Sequence, residues 1–357
     1  MIRDCLKLTV YFGESDRAGS DLLADALFDA FERESIDAAV LLRGTEGFGI
    51  KQQVHTGRLL TLSEDLPLVA VAVDEPERIE RLLPVVRSLV TGGLVTVERA
   101  RLAVGRPDVQ ELPPGLGETV KLSVSVGRTE RAAGGLAHLE TVALLHRHGL
   151  DGATALLGLD GMVDGRRRRG RFFSRNADVP VVIVATGSRD AVASAAAALG
   201  RLLQEPRLTL ERVDLCKRAG RTIAPPRVLA DGDGALDRWQ KLTIYADEDA
   251  RHDGRSLYLQ LVRRLRAERA LGATALRGIW GFSDGGEPHG DPLLALRRRV
   301  PVVTTVIDRP SALQRWWPVV DELTAGAGLV TCEVVPAFHA VGPEVSVGGL
   351  RLARPQR

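Results

Sequence analysis

Two kinds of hydrophobic spacing alternate along the chain, in an order that returns three times. Leu6, Leu8, Val10 and Phe12 alternate with Lys7, Thr9 and Tyr11, the period of a half-buried strand. After the turn at 13–20, Leu23, Ala26, Leu27, Ala30 and Phe31 share one face of a helix predicted over 21–35. Residues 38–42 read as a second strand, and the continuous apolar run 68–73 as a buried third. Pro76 opens a second helix that turns Ile79, Leu82, Leu83, Val86 and Val90 inward and stops at Thr91-Gly92-Gly93. The run 94–99 is a last strand. The predicted order is β-α-β-β-α-β, the split βαβ or ferredoxin-like unit of the α+β class: a four-stranded antiparallel sheet with both helices on one face.

The same pattern restarts at Lys121-Leu122 and at Lys241-Leu242-Thr243-Ile244-Tyr245, the latter close to Lys7-Leu8-Thr9-Val10-Tyr11. A glycine turn ends the second strand each time: Arg43-Gly44-Thr45-Glu46-Gly47-Phe48-Gly49, Leu157-Gly158-Leu159-Asp160-Gly161-Met162 and Arg277-Gly278-Ile279-Trp280-Gly281-Phe282. Lys7 to Gly44, Lys121 to Gly158 and Lys241 to Gly278 are the same interval, and Pro67, Pro180 and Pro301 each precede a third strand. Three aligned landmarks in three copies mark an internal repeat. The expected domains are 5–103, 119–216 and 240–338, joined by proline-containing linkers 104–118 and 217–239. At about 3.3 Å per extended residue, either linker spans roughly 50 Å, enough to carry the chain around a neighbouring domain. Strands apolar on both faces need cover on the side away from the helices, which another copy can supply.

The near-neutral net charge of +2 over 357 residues calls for neither nucleic acid nor membrane as a general partner. No run approaches the roughly 18–20 apolar residues of a membrane helix. The start at Met1 lacks the basic and apolar segments of a signal peptide, so a cytoplasmic protein is expected. Three widely spaced cysteines, Cys5, Cys216 and Cys332, read as reduced thiols. The seven histidines do not cluster; His289 and Asp291 share a loop without further ligands at metal spacing. No Ser-His-Asp set, Cys-His set or Walker-type loop can be assembled, so catalytic and metal residues are not expected.

The candidate chemistry lies in the turns. Gly44, Gly47 and Gly49 have two readings: a nest of backbone N–H groups for an anion, or glycines that a tight turn requires for positive φ. Arg43 and Arg277, at equivalent strand ends, can reach a phosphate or carboxylate, or form ion pairs; Leu157 takes that place in the second copy. Glu14, Asp16, Asp247, Glu248 and Asp249 read as caps and surface charge, with cation attraction as the alternative. The run Arg166 to Arg171 can bind a polyanion or nucleic acid, or serve as a solvated loop. Trp316 and Trp317 read as core and interdomain packing.

The first copy closely resembles a small bacterial family, domain-of-unknown-function family 190 (DUF190), within the PII-like superfamily. The match rests on Leu6-Lys7-Leu8-Thr9-Val10-Tyr11, Gly13-Glu14-Ser15-Asp16-Arg17, the turn 42–49, His55-Thr56, Leu62-Ser63-Glu64-Asp65-Leu66-Pro67 and Gly93-Leu94-Val95-Thr96. The third copy matches at its start and at Arg277 to Phe282, the second in outline. The wider resemblance is to PII signalling and CutA-like proteins, trimers of ferredoxin-like domains with sheets facing inward. It implies an intramolecular pseudo-trimer and adenine-nucleotide binding in interdomain clefts. The implied site comprises Arg43, Gly44, Gly47, Phe48, Gly49 and Lys51 at the loop base, Thr91, Gly92 and Gly93 before the last strand, and Arg277, Gly278, Gly281 and Phe282. The Gly-Asp-Gly-Lys-like turn of PII proteins is absent here. The resemblance further implies a non-enzymatic regulator of a partner protein such as a membrane transporter, with ATP, ADP, AMP or a cyclic nucleotide as effector. A polyanion binder acting through Arg166 to Arg171 and an enzyme with an interdomain site stand as alternatives.

Overall fold

A computed structural model describes residues 2–49, 54–56, 65–105, 112–163, 165–167, 179–231, 238–290, 299–342 and 346–351. Among them are six helices and an extensive sheet whose strand pairings are antiparallel throughout. In repeat one, the first strand Ile2–Gly13 lies between the third, Pro67–Asp74, and the last, Gly92–Val104; the second, Ala38–Arg43, pairs with the far side of the third. Repeat two places Thr119–Gly127 between Pro180–Ser188 and Arg207–Arg218, with Gly152–Val163 outside. Repeat three places Trp239–Asp247 between Pro301–Asp308 and Leu329–Val335, with Ala273–Arg277 outside.

Strand alternation sends Leu6, Leu8, Val10 and Phe12 to the face covered by helices α1 (Leu23–Arg33) and α2 (Pro76–Leu89), where they meet Leu27, Phe31, Ile79 and Leu82. Helices α3 (Ala137–Arg147) and α4 (Arg189–Leu202) cover repeat two, and α5 (Leu257–Ala267) and α6 (Pro310–Leu323) cover repeat three, each over its own core. Each fully buried Leu, Val or Phe contributes about 1.5–3 kcal/mol, so these faces hold the individual repeats together. Trp316 is fully buried in the third core, with Trp317 packed at its edge. All three cysteines are buried and free.

Three expectations change. The first helix starts at Leu23 rather than Asp21 and ends at Arg33, because Arg17–Ala18 and Asp21–Leu22 form a small hairpin around Gly19, whose φ is +64°. Between the strands predicted at 38–42 and 68–73 lies further pairing: Glu46–Phe48 with Val54–Thr56. The second linker begins later than residue 217, since the strand runs to Arg218 and Arg221–Thr222 pairs back on it. Lys217 is buried there, its ammonium 2.7 Å from Asp321.

The face away from the helices is covered as expected. Val40, Leu42 and Val69 from repeat one, Leu156 from repeat two, and Tyr245, Leu276, Val303 and Leu329 from repeat three form one cluster. Strand pairing links the same units. Residues 158–163 pair with 38–42 (two to one), Glu46–Phe48 with 273–275 (one to three), and Trp280–Phe282 with 153–155 (three to two). The last strands repeat the cycle: 207–210 with 101–104, 214–217 with 330–332, and Ala337–Val341 with 92–96. These pairings satisfy backbone groups that isolated repeats would leave on open edges.

Where the sheets meet, three lysines and three glutamates alternate in a closed ring. Lys7 lies 2.8 Å from Glu98 and 2.7 Å from Glu211; Lys121 lies 3.2 Å from Glu211 and 2.7 Å from Glu333; Lys241 lies 2.9 Å from Glu333 and 2.8 Å from Glu98. Each member occupies the equivalent position of its repeat, and all but the slightly more open Lys7 are buried. Burial opposes charge throughout. At Lys7 the carboxylates of Glu211 and Glu98 overcome it, and at Lys241 those of Glu333 and Glu98 do, so both ammoniums are held above the usual lysine range. Lys241 and Lys7 likewise hold the Glu98 carboxyl well below its usual range, and Lys121 and Lys241 lower that of Glu333. At Lys121 and Glu211 burial prevails, lowering the lysine and raising the glutamate. Their contact is also the longest of the six, so this is the ring's weakest link.

Candidate functional site

The glycine turn works first on the neighbouring repeat. A Cβ on Gly44 would stand 2.6 Å from the Pro67 ring, and one on Gly47 2.8 Å from the Ala273 carbonyl of repeat three. Neither residue has positive φ, so close approach, rather than a left-handed turn, excludes side chains. The pattern holds in the other copies. Gly158 and Gly161 abut Pro180, and Gly278 and Gly281 abut Pro301, with Gly281 also against the Ala153 carbonyl. The residue after the second glycine then enters the neighbour's core: Phe48 that of repeat three, Met162 that of repeat one, Phe282 that of repeat two. Landmarks first visible as a glycine, a proline and an apolar residue are one inter-repeat clasp made three times.

The clasp accounts for several candidate ligand residues without a ligand. Gly44, Gly47, Gly278, Gly281 and Phe282 are buried in it. Arg43 lies 2.6 Å from Glu14 and Arg277 2.8 Å from Glu248, the same ion pair within each repeat. Thr91 is exposed, and Lys51 lies outside the described residues. Arg167 is also engaged, 2.9, 2.8 and 2.8 Å from Asp25, Asp29 and Asp160, with its guanidinium over Phe28. It ties repeat two to repeat one. Arg168 to Arg171 and Asp291 fall outside the described residues.

Phe48, Gly49, Gly92 and Gly93 do come together. They line a cavity of about 150 Å³ between repeats one and three, with Tyr11, Pro67, Leu94, residues 271–274, Ile307 and His339. Gly93, at φ +123°, is required by its approach to the Tyr11 carbonyl, 2.3 Å from where its Cβ would be; Gly92 and Gly49 have open space instead. Asp16 and Asp65 supply carboxylates, which accept from the backbone N–H of Gly13 at 2.7 Å and of Ser15 at 2.6 Å. Burial, assisted by Arg309, holds His339 below the usual histidine range. No lysine or arginine lines the cavity among the described residues. Its mainly apolar wall and two carboxylates suit an uncharged or cationic planar group better than a phosphate. His339 lies beyond the expected end of the third domain; its signal was the apolar run at 337–341, interrupted only by His339 itself, which adds a strand to repeat one.

The equivalent space between repeats three and two is filled by the chain itself. The Asp284 carboxylate accepts from the backbone N–H of Ala219 and of Gly328, the counterpart of Gly93, both at 3.0 Å. Asp247 accepts from Ser283 at 2.8 Å and contacts His289 at 3.1 Å and Arg299 at 2.8 Å. The Asp247 bond raises His289 above its ordinary range. Between repeats one and two lies a third, larger cavity of about 640 Å³, bordered by Val40, Val126, Met162 and Arg207; there the unbroken strand Gly152–Val163 replaces the short turn strand. In the central ring, carboxylate oxygens of Glu98, Glu211 and Glu333 lie within 4.8 Å of one another. The three interleaved ammoniums already provide the positive charge that a metal ion would bring there.

Comparison with known proteins agrees with the three-part architecture. The sequence model of the family DUF190, described as Uncharacterized ACR, matches residues 5–102, 119–215 and 239–337. A UPF0166 protein of Aquifex aeolicus is 30% identical over 99 residues, covering 28% of this chain and 91% of that protein. A UPF0166 protein of Methanocaldococcus jannaschii is 29% identical over 91 residues, covering 25% of this chain and 83% of that protein. Each relative is therefore about as long as one repeat.

Proposed function

The chain belongs to the uncharacterized DUF190 family, as three tandem copies, and on that premise we propose that it is a non-enzymatic ligand sensor: an intramolecular pseudo-trimer of ferredoxin-like, PII-like domains. The observation that carries this reading is the inequality of the clefts. The repeat three–two cleft is occupied by Asp284, Ser283 and His289, whereas its counterpart between repeats one and three is an open cavity. Gly49 and Asp65 both stand on its wall, so the segment between them leaves from and returns to the ligand site. Ligand binding would thereby be coupled to that segment, and through it to a partner protein. The lining suits a nucleobase; an adenine nucleotide would keep its phosphates outside, away from Asp16 and Asp65.

Calorimetric titration with adenosine, AMP, ADP, ATP and cyclic AMP tests the ligand class. Gly92→Leu is the matched variant, because nothing lies within 4 Å of a Cβ there and the glycine lacks positive φ. It is expected to weaken binding by tenfold or more, with the melting temperature unchanged within about 2 °C. Flat titrations with every compound would remove the nucleotide reading. Undiminished binding by the variant would place the site elsewhere.

A further inference from the structure

Repeat three carries a second kind of site, on its outer surface and away from the clefts. We infer that the N-terminal end of helix α5 is a binding site for a small phosphate-bearing ligand. An open cavity of about 410 Å³ there is lined by Arg251, Arg255, Ser256, Arg263 and Arg264, with Leu259 and Gln260. Arg251, Arg255 and Arg263 form no ion pair with a described residue; Arg264 pairs with Glu322 at 3.1 Å. Helix α5 runs for 11 residues and has no acidic residue in its first turn, whereas Asp25, Glu77, Glu140 and Asp190 occupy the first turns of α1 to α4. Its positive end is thus left uncompensated.

An independent observation comes from the residue preceding the helix. Ser256 is 6% exposed, and its hydroxyl has no hydrogen-bond partner and caps no backbone N–H. A buried, unsatisfied hydroxyl costs stability unless something completes it, and here it lies on the wall of an arginine-lined cavity. The equivalent positions of repeat one hold Asp21, Leu22 and Asp29 in place of Arg255, Ser256 and Arg263. The same backbone therefore presents opposite charge and no hydroxyl in repeat one. Guanidinium groups and a helix N-terminus match phosphate oxygens in both charge and donor geometry. Of the acidic groups near the site, Glu322 lies 3.8 Å from His252 and 3.1 Å from Arg264, Asp253 lies 3.5 Å from His252, and Glu268 acts on Arg264, so none of them pairs with the other three guanidiniums.

Phosphorus NMR and calorimetry with inorganic tripolyphosphate on the full chain at low salt test the proposal. The wild type is expected to bind saturably. Arg255→Asp/Arg263→Asp, which installs the residues of repeat one, should weaken binding by tenfold or more, and Ser256→Leu should weaken it severalfold. Positions 255 and 263 are exposed, as Asp21 and Asp29 are in repeat one, so the melting temperature of the double variant should hold. That variant carries the test, because Ser256 is 6% exposed where Leu22 is 41% exposed. Gly92→Leu should bind tripolyphosphate as the wild type does, which separates this site from the cleft. Absence of binding, equal binding by the arginine double variant, loss of binding in Gly92→Leu, or binding of an RNA oligonucleotide without tripolyphosphate would each overturn the inference.

Discussion

Replacing Lys241 by methionine is expected to destabilise the protein by about 3–5 kcal/mol, far more than breaking any surface ion pair. The side chain is nearly the same size, so the effect isolates charge. The variant leaves Glu98 and Glu333 with one ammonium each and the ring with an uncompensated negative charge in a buried site. Arg81→Met removes the exposed contact with Glu34 at 3.3 Å and should cost about 0.5 kcal/mol or less. Adding Glu333→Gln restores neutrality. That second change should therefore cost less in the Lys241→Met background than in the wild type, by about 0.5–3 kcal/mol. Urea unfolding of the four proteins in the cycle provides the measurement. Simple additivity would mean that the six groups do not act as one ring.

Truncating Phe282 to alanine is the second large effect, expected at about 3–5 kcal/mol. Its location is more informative than its size. Phe282 is 1% exposed inside the core of repeat two and meets His146 of α3 edge-on at 5.1 Å between ring centroids. Hydrogen exchange should therefore accelerate in α3, in the repeat that was not mutated, as strongly as around Trp280–Phe282. Phe48→Ala should in the same way loosen repeat three. Exchange that rises only within the mutated repeat would contradict the clasp.

Much of this fold is legible along the chain. The alternation at Leu6 to Phe12 specifies which strand face meets the helices, and the recurring glycines and prolines mark the repeat boundaries. What those glycines do is not legible, because Gly47 is confined by Ala273 and Gly281 by Ala153, more than a hundred residues away. Local turn chemistry suggested positive φ, but at Gly47 the constraint is the neighbouring carbonyl alone, and at Gly281 the carbonyl adds to a φ of +157°. Lys7, Lys121 and Lys241 served as landmarks of the repeat. A lysine in an alternating strand ordinarily faces water, and only the closed assembly brings it to Glu98, Glu211 and Glu333. The repetition of both residue types at matching positions was the available signal. The candidate cleft was half legible: Phe48, Gly49, Gly92 and Gly93 meet there, while residues 271–274 and His339 reach it only through the folding of repeat three onto repeat one. Arg43 and Arg277 carried the right charge for an anion, but each has a carboxylate directly after its repeat's first strand, Glu14 and Glu248, that takes it first.

The central claim is that one chain closes its own ring, each repeat clasping the next. Light scattering of the purified protein, taken to high dilution, tests it most directly. The account predicts the mass of a single chain. A stable particle of three chains, in which each repeat pairs with its copies in the other two, would contradict it.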